Sequence, residues 1–148
     1  MLLDGHRVIH ATRVQTYKLL WDPDVLLRAM PGLKSLTEIG SGVYQAEMEM
    51  GVAAIKGKYS GEMRMEDTGP GESYGLRMHG TGPGGFIDVN MSVILSESPH
   101  GTELHYSGTA NVQGTIAGVG QRVLSGVANI IIGQFFSALA KEAKHVAS

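Results

Sequence analysis

The feature that most constrains this chain is an apolar–polar alternation that continues, turn after turn, from Leu33 to Gln113. Ile55, Gly57, Tyr59, Gly61, Met63 and Met65 fall on one parity, while Lys56, Lys58, Ser60, Glu62, Arg64 and Glu66 fall on the other. Successive side chains of a strand point to opposite faces, so such a segment makes a strand with one dry side and one wet side. The same parity separates Tyr44, Ala46, Met48 and Met50 from Gln45, Glu47 and Glu49. It separates Ile87, Val89, Met91, Val93 and Leu95 from Asp88, Asn90 and Ser92. Near the end of the run it sets Leu104, Tyr106, Gly108, Ala110 and Val112 against Glu103, His105, Thr109, Asn111 and Gln113. Turns at Gly40-Ser41-Gly42, Gly69-Pro70-Gly71, Gly82-Pro83-Gly84-Gly85 and Pro99-His100-Gly101 cut the run into strands. The pattern specifies an antiparallel sheet covered on one face.

The cover comes last. Ile116 to about His145 has helical period. Ile116, Val119, Val123, Val127, Ile130, Ile131, Phe135 and Leu139 oppose a stripe of Arg122, Ser125, Asn129, Ser137, Lys141 and Lys144. Val123 to Ala140 carries no charge, a length that raises the question of a membrane span. Ser125, Asn129, Gly133 and Ser137 recur every four residues, and this wetter face suits a helix lying under a sheet. Gly118, Gly120, Gly126 and Gly133 each cost ~1 kcal/mol against alanine in a helix interior. Close packing of the helix backbone on the sheet is the first explanation, and a softened lid over a cavity is the second.

Ahead of the sheet, a strand is expected over Leu2–His10. Thr12 with Gln15 has the form of a capping box and starts a short helix through Leu20. Asp22-Pro23 starts another, which Pro31-Gly32 stops after Met30. The expected fold is therefore α+β in one domain over residues 1–148. A curved seven-stranded antiparallel sheet wraps a long C-terminal helix, in a helix-grip arrangement, with two short helices after the first strand.

Composition narrows the function. A net charge of -2 gives no general attraction to nucleic acid or anionic lipid. There is no cysteine to staple loops or ligate metal, and the N-terminus does not read as a secretory signal, so a cytoplasmic protein is expected. Twenty-one glycines and eight methionines, against three phenylalanines, suit an interior that accommodates variable shapes. Gly80-Thr81-Gly82-Pro83-Gly84-Gly85 matches a dinucleotide fingerprint, but a strand follows where a phosphate-binding helix would be needed, so it reads as a turn. Asn90-Met91-Ser92 sits mid-strand and is a chance match to a glycosylation site. His6, His10, His79, His100, His105 and His145 have no metal-ligand spacing and read as surface residues. No acid falls on the dry face, and neither a catalytic residue, a cofactor site nor a metal site is expected. Tyr44, Tyr59, Tyr74 and Tyr106 fall at inward positions, where a hydroxyl meets water at the rim or a carbonyl on a ligand.

Several short landmarks follow one another along the chain. They are Trp21-Asp22-Pro23, Met30-Pro31-Gly32, Gly51, Ile55-Lys56-Gly57 and Tyr59-Ser60-Gly61. Gly101-Thr102-Glu103-Leu104-His105-Tyr106, Gly114, Gly118 to Arg122 and Gln134-Phe135-Phe136 complete the series. In this order the chain resembles the carbon monoxide dehydrogenase G-subunit family, within the START-like (SRPBCC, helix-grip) superfamily. The resemblance implies a hydrophobic tunnel between sheet and C-terminal helix. Carried onto this sequence, the tunnel is lined by Tyr59, Met63, Met78, Met91 and Tyr106, with Val119, Val123, Val127, Ile131 and Phe135 from the helix. Tyr44 joins them as an inward tyrosine. The resemblance also implies service to an aerobic molybdenum carbon monoxide dehydrogenase or related hydroxylase, by recruiting it to the membrane or by carrying a quinone or lipid. Many family members continue into a membrane-anchoring tail, whereas this sequence ends at Ser148, so at most weak peripheral membrane contact is expected.

The leading expectation is a non-enzymatic binder of a hydrophobic small molecule. A docking or maturation module for the partner enzyme is one alternative. A small cyclase- or dehydratase-like enzyme is another, since the fold does not fix the activity.

Overall fold

The computed structural model describes residues 1–51 and 55–147. Seven antiparallel strands form one sheet in the order β1-β7-β6-β5-β4-β3-β2. In chain order these are β1 (Leu2–Ile9), β2 (Leu33–Gly40), β3 (Val43–Met50), β4 (Gly57–Gly69), β5 (Ser73–Gly82), β6 (Gly85–Ser98) and β7 (Gly101–Gln113). Strands β2 to β7 form a meander, each strand pairing with the next, and β1 closes onto β7. The expected turns are all present, including Gly82↔Gly85 across the false dinucleotide motif. Gly42 and Gly71 adopt φ of 71° and 72°, a backbone that residues with side chains rarely take.

Helices α1 (Arg13–Trp21) and α2 (Pro23–Ala29) carry the chain from β1 across to the opposite edge strand β2. The Thr12 hydroxyl accepts from Gln15 N at 3.1 Å, and Gln15 Oε1 accepts in turn from Thr12 N at 3.0 Å. Asp22 accepts from Asp24 N at 2.9 Å and caps α2, with Pro23 in the first turn. Both starts were legible because each cap is a local bond within three residues.

The last helix, α3, spans Gln121–Ala147. The sequence pattern runs one helix from Ile116. Instead, Thr115–Val119 is a 3-10 turn, and Gly120 at φ 96° breaks it from α3. Helical phase therefore restarts at Gln121. The buried line becomes Val127, Leu139 and Ala143, with Leu124, Ile131, Ile132, Phe135 and Phe136 partly buried beside it. Val123 and Ile130, expected on the apolar face, are exposed at 45% and 52%.

The interior is packed at two separate places. The larger cluster holds Leu19, Leu20, Val25 and Leu26 from the short helices against Val93, Leu95, Leu104, Leu139 and Ala143. The smaller gathers Met50, Ile55, Tyr59, Ile116 and Val127. Between them the inner face of the sheet stays open.

Candidate functional site

The open space is an apolar cavity of about 320 Å³ under α3, within the range of small-molecule sites. The sheet supplies Met63, Met78, Met91 and Val89, and α3 supplies Leu124, Val127, Ile131, Phe135 and neighbours. Its dry character follows from the strand parity, because every second side chain of β3 to β7 points inward. Its size follows from missing side chains. Gly61 and Gly80 are register partners on β4 and β5; a Cβ on Gly61 would run into His79 O of the neighbouring strand, so only Gly80 leaves space open to the cavity. An added Cβ on Gly80 would meet nothing within 4 Å, so the residue faces empty space. At this glycine pair Ser60, Glu62 and His79 also border the cavity. Their side chains find partners on the outer face: Ser60 with Glu47 at 3.1 Å, Glu62 with Arg64 at 2.6 Å, and His79 with Asp88 at 2.5 Å.

Glycines also seat two aromatic walls. A side chain at Gly82 would collide with the Tyr59 ring, and one at Gly5 with the Tyr106 phenol. Gly5 and Tyr106 are register partners, so the ring lies across the bare strand opposite. Tyr106 also stacks on Phe136 with centroids 5.6 Å apart.

Among the residues expected to form the tunnel, Tyr59, Met63, Met78, Met91, Tyr106, Val127, Ile131 and Phe135 border this cavity. Three do not. Tyr44 is buried in the larger packed cluster, away from the opening. Val119, in the 3-10 turn ahead of Gly120, is 37% exposed, and Val123 is 45% exposed because at 100° per residue it falls to one side of the stripe that Leu124, Ala128, Ile131 and Phe135 turn inward. Leu124, Ala128 and Ile132 take the helix side in their place. Met1, Leu3 and the short-helix residues Leu20 and Leu26 also border it, and alternation within the meander gave no sign of them.

The four inward tyrosines are all buried. Tyr59 donates its hydroxyl to Ile55 O at 2.8 Å, so that group is occupied. Burial raises the pKa of Tyr59 and, more strongly, of Tyr74; burial and the neighbouring Glu38 raise that of Tyr44. These phenols remain neutral donors at any physiological pH. Tyr74 packs edge-on against Trp21 and Tyr17, at 5.7 and 6.0 Å between centroids. Tyr17 is itself pushed up to about 12 by burial and by Asp67. Among the described residues, the one group of three or more His, Asp or Glu ligand atoms close enough to share a metal lies on the outer face of the sheet. An apolar wall with sparse neutral donors can solvate a hydrocarbon and orient a carbonyl or hydroxyl.

The glycines of the last helix are not contact points. An added Cβ at Gly118, Gly120, Gly126 or Gly133 would meet nothing within 4 Å. Close packing on the sheet, the first explanation offered by the sequence, is therefore set aside. Residues Gln121–Val146 are long and apolar enough to cross a membrane by length and composition, and most of the apolar window within them is not buried.

Comparison with known proteins agrees with this architecture. A conserved protein from Geobacillus kaustophilus is 33% identical, with a TM-score of 0.95 over 100% of this chain and 98% of that one. A START superfamily protein from Mycobacterium smegmatis is 9% identical, with a TM-score of 0.78 over 98% of each chain. A Thermus thermophilus protein is 14% identical, with a TM-score of 0.75 over 100% of both chains. These likenesses establish a START-like, helix-grip fold. No curated protein matches the chain. The family model CoxG, which describes the G-subunit of carbon monoxide dehydrogenase, matches residues 5–144, and the chain belongs to that family.

Proposed function

We propose that this protein is a non-enzymatic carrier that holds the apolar part of a quinone or lipid between its sheet and α3. In this reading it serves an aerobic molybdenum carbon monoxide dehydrogenase or a related hydroxylase. The observation that carries the binding is the cavity itself, lined almost wholly by apolar side chains and left open at Gly80. The partner rests on the family to which the chain belongs. Affinity comes from buried apolar area, at ~25 cal/mol per Å². The head group of the ligand sits against a neutral tyrosine or at the mouth. Work in the cytoplasm, with brief peripheral contact at the membrane where quinone or lipid resides, completes the proposal.

Two substitutions from opposite walls test it. Gly80→Leu places a side chain where a Cβ meets nothing within 4 Å, and Val127→Trp fills the same space from the helix. Both should remain folded by circular dichroism and lose uptake of a short-chain quinone analogue by at least tenfold. Unchanged uptake in the folded variants would reject the cavity as the binding site.

A further inference from the structure

On the outer face of the sheet, His6 of β1 and His105 of β7 are register partners. Their rings stack with centroids 4.3 Å apart and planes within 6° of parallel. Two imidazolium ions that close would repel, and each ring has a carboxylate beside it. His105 Nε2 lies 2.9 Å from Asp4 Oδ1, and His6 Nδ1 lies 3.6 Å from Glu103 Oε1. One ligand atom from each of Asp4, His6 and His105 lies within 4.8 Å of the others. Asp4 stands two residues before His6, and Glu103 two before His105, so each strand puts a carboxylate and an imidazole on one face. Pairing of the first strand with the last completes the cluster.

We propose that Asp4, His6 and His105 bind a divalent transition ion of the zinc class, with Glu103 as the outer partner of His6. The argument rests on ligand chemistry and reach. Bonds of ~2.0–2.2 Å to nitrogen and oxygen put tetrahedral ligands about 3.3–3.6 Å apart. The present spread closes to that value by rotation of exposed side chains, with no change in strand register. Two imidazoles favour zinc, copper or nickel, whereas magnesium and calcium take oxygen ligands. Glu103 near Nδ1 of His6 favours the proton on that nitrogen and leaves the Nε2 lone pair to the metal, the usual role of a carboxylate behind a ligating histidine. Water fills the fourth position.

The site pins edge strand β1 to β7. On the inner face of the same two strands, Leu3 and Tyr106 border the cavity. Occupancy therefore stiffens one wall of the binding space from outside. This inference is independent of the carrier reading, since it concerns the other face of the sheet.

The test is calorimetric titration of the tag-free protein with zinc ion, alongside thermal denaturation with and without the ion. One ion per chain should bind saturably and raise the melting temperature. His6→Ala or His105→Ala should weaken binding at least tenfold and abolish the shift; both residues are on the exposed face and their loss leaves the fold intact. Glu103→Gln should weaken binding by about tenfold or more. His100→Ala removes an exposed histidine outside the cavity lining and should leave zinc binding and the thermal shift unchanged. No saturable binding below about a hundred micromolar, or binding retained in the His6/His105 double variant, would overturn the site.

Discussion

The two halves of α3 do different work. Its C-terminal half is packed and tethered. Leu139 is fully buried, Ala143 is 1% exposed, and Arg28 grips Glu142 through two bonds of 2.7 and 3.1 Å. Gln15 of α1 donates to Val146 O at 3.1 Å. Phe136 is held between the Tyr106 ring and the Arg7 guanidinium, the latter 5.2 Å from its centroid. The N-terminal half joins only the smaller packed cluster, through Val127, and otherwise roofs the cavity. It carries Gly126 and Gly133, follows the break at Gly120, and exposes Val123 and Ile130. One end of a single helix anchors the fold while the other roofs a space. Few packed contacts mean low local stability, which is what ligand entry requires. The carrier reading accordingly places entry under the N-terminal half.

The comparison can be broken from its strong end. Leu139→Ala should cost about 2–5 kcal/mol in urea denaturation, because a fully buried leucine leaves a cavity among neighbours that already pack. Leu124→Ala, on the roof of an existing cavity, should cost clearly less. Similar losses at both positions would erase the distinction between the halves.

Acid should act on the anchored end next. The hydrogen bond and charge of Arg28 lower the Glu142 pKa below that of a free carboxyl. A depressed carboxylate contributes stability above its unfolded pKa of about 4.3, and that contribution is lost as pH falls through the lower folded value. Wild type should exceed Glu142→Gln in stability at neutral pH, and the gap should close as the solution is acidified below about pH 4.3. A gap that is constant with pH would remove the ion pair from the account.

The smallest effect sharpens the flexible end. Gly133→Ala adds a methyl that meets nothing within 4 Å. It should stabilise the protein by about 0.5–1 kcal/mol through helix propensity. It should also slow release of a bound quinone analogue in stopped-flow exchange. Greater stability with unchanged release would show that the roof need not bend.

Most of the sheet was legible because alternation and turn glycines act over a few residues, as did the caps at Thr12 and Asp22. The cavity-facing methionines followed from the same parity. What escaped depends on phase and on distant pairing. The break at Gly120 takes Val119 out of the helix, and within α3 the inward stripe is centred on Leu124, Ala128, Ile131 and Ile132, leaving Val123 to one side. Tyr44 has the correct parity but sits beside the packed end, a position along the strand that parity does not encode. Met1 and Leu3 reach the cavity only because β1 pairs with β7, and the same pairing brings His6 to His105. Residues about a hundred positions apart leave no local sign of such contacts.

The central claim is that the space between sheet and helix holds a hydrophobic molecule. Native mass spectrometry of protein purified without detergent, followed by solvent extraction, tests it most directly. The account predicts about one isoprenoid quinone or lipid per chain, displaced in Gly80→Leu. A wild-type protein that is empty and takes up no quinone analogue on incubation would contradict it, and the cavity would then be loose packing beneath a docking surface.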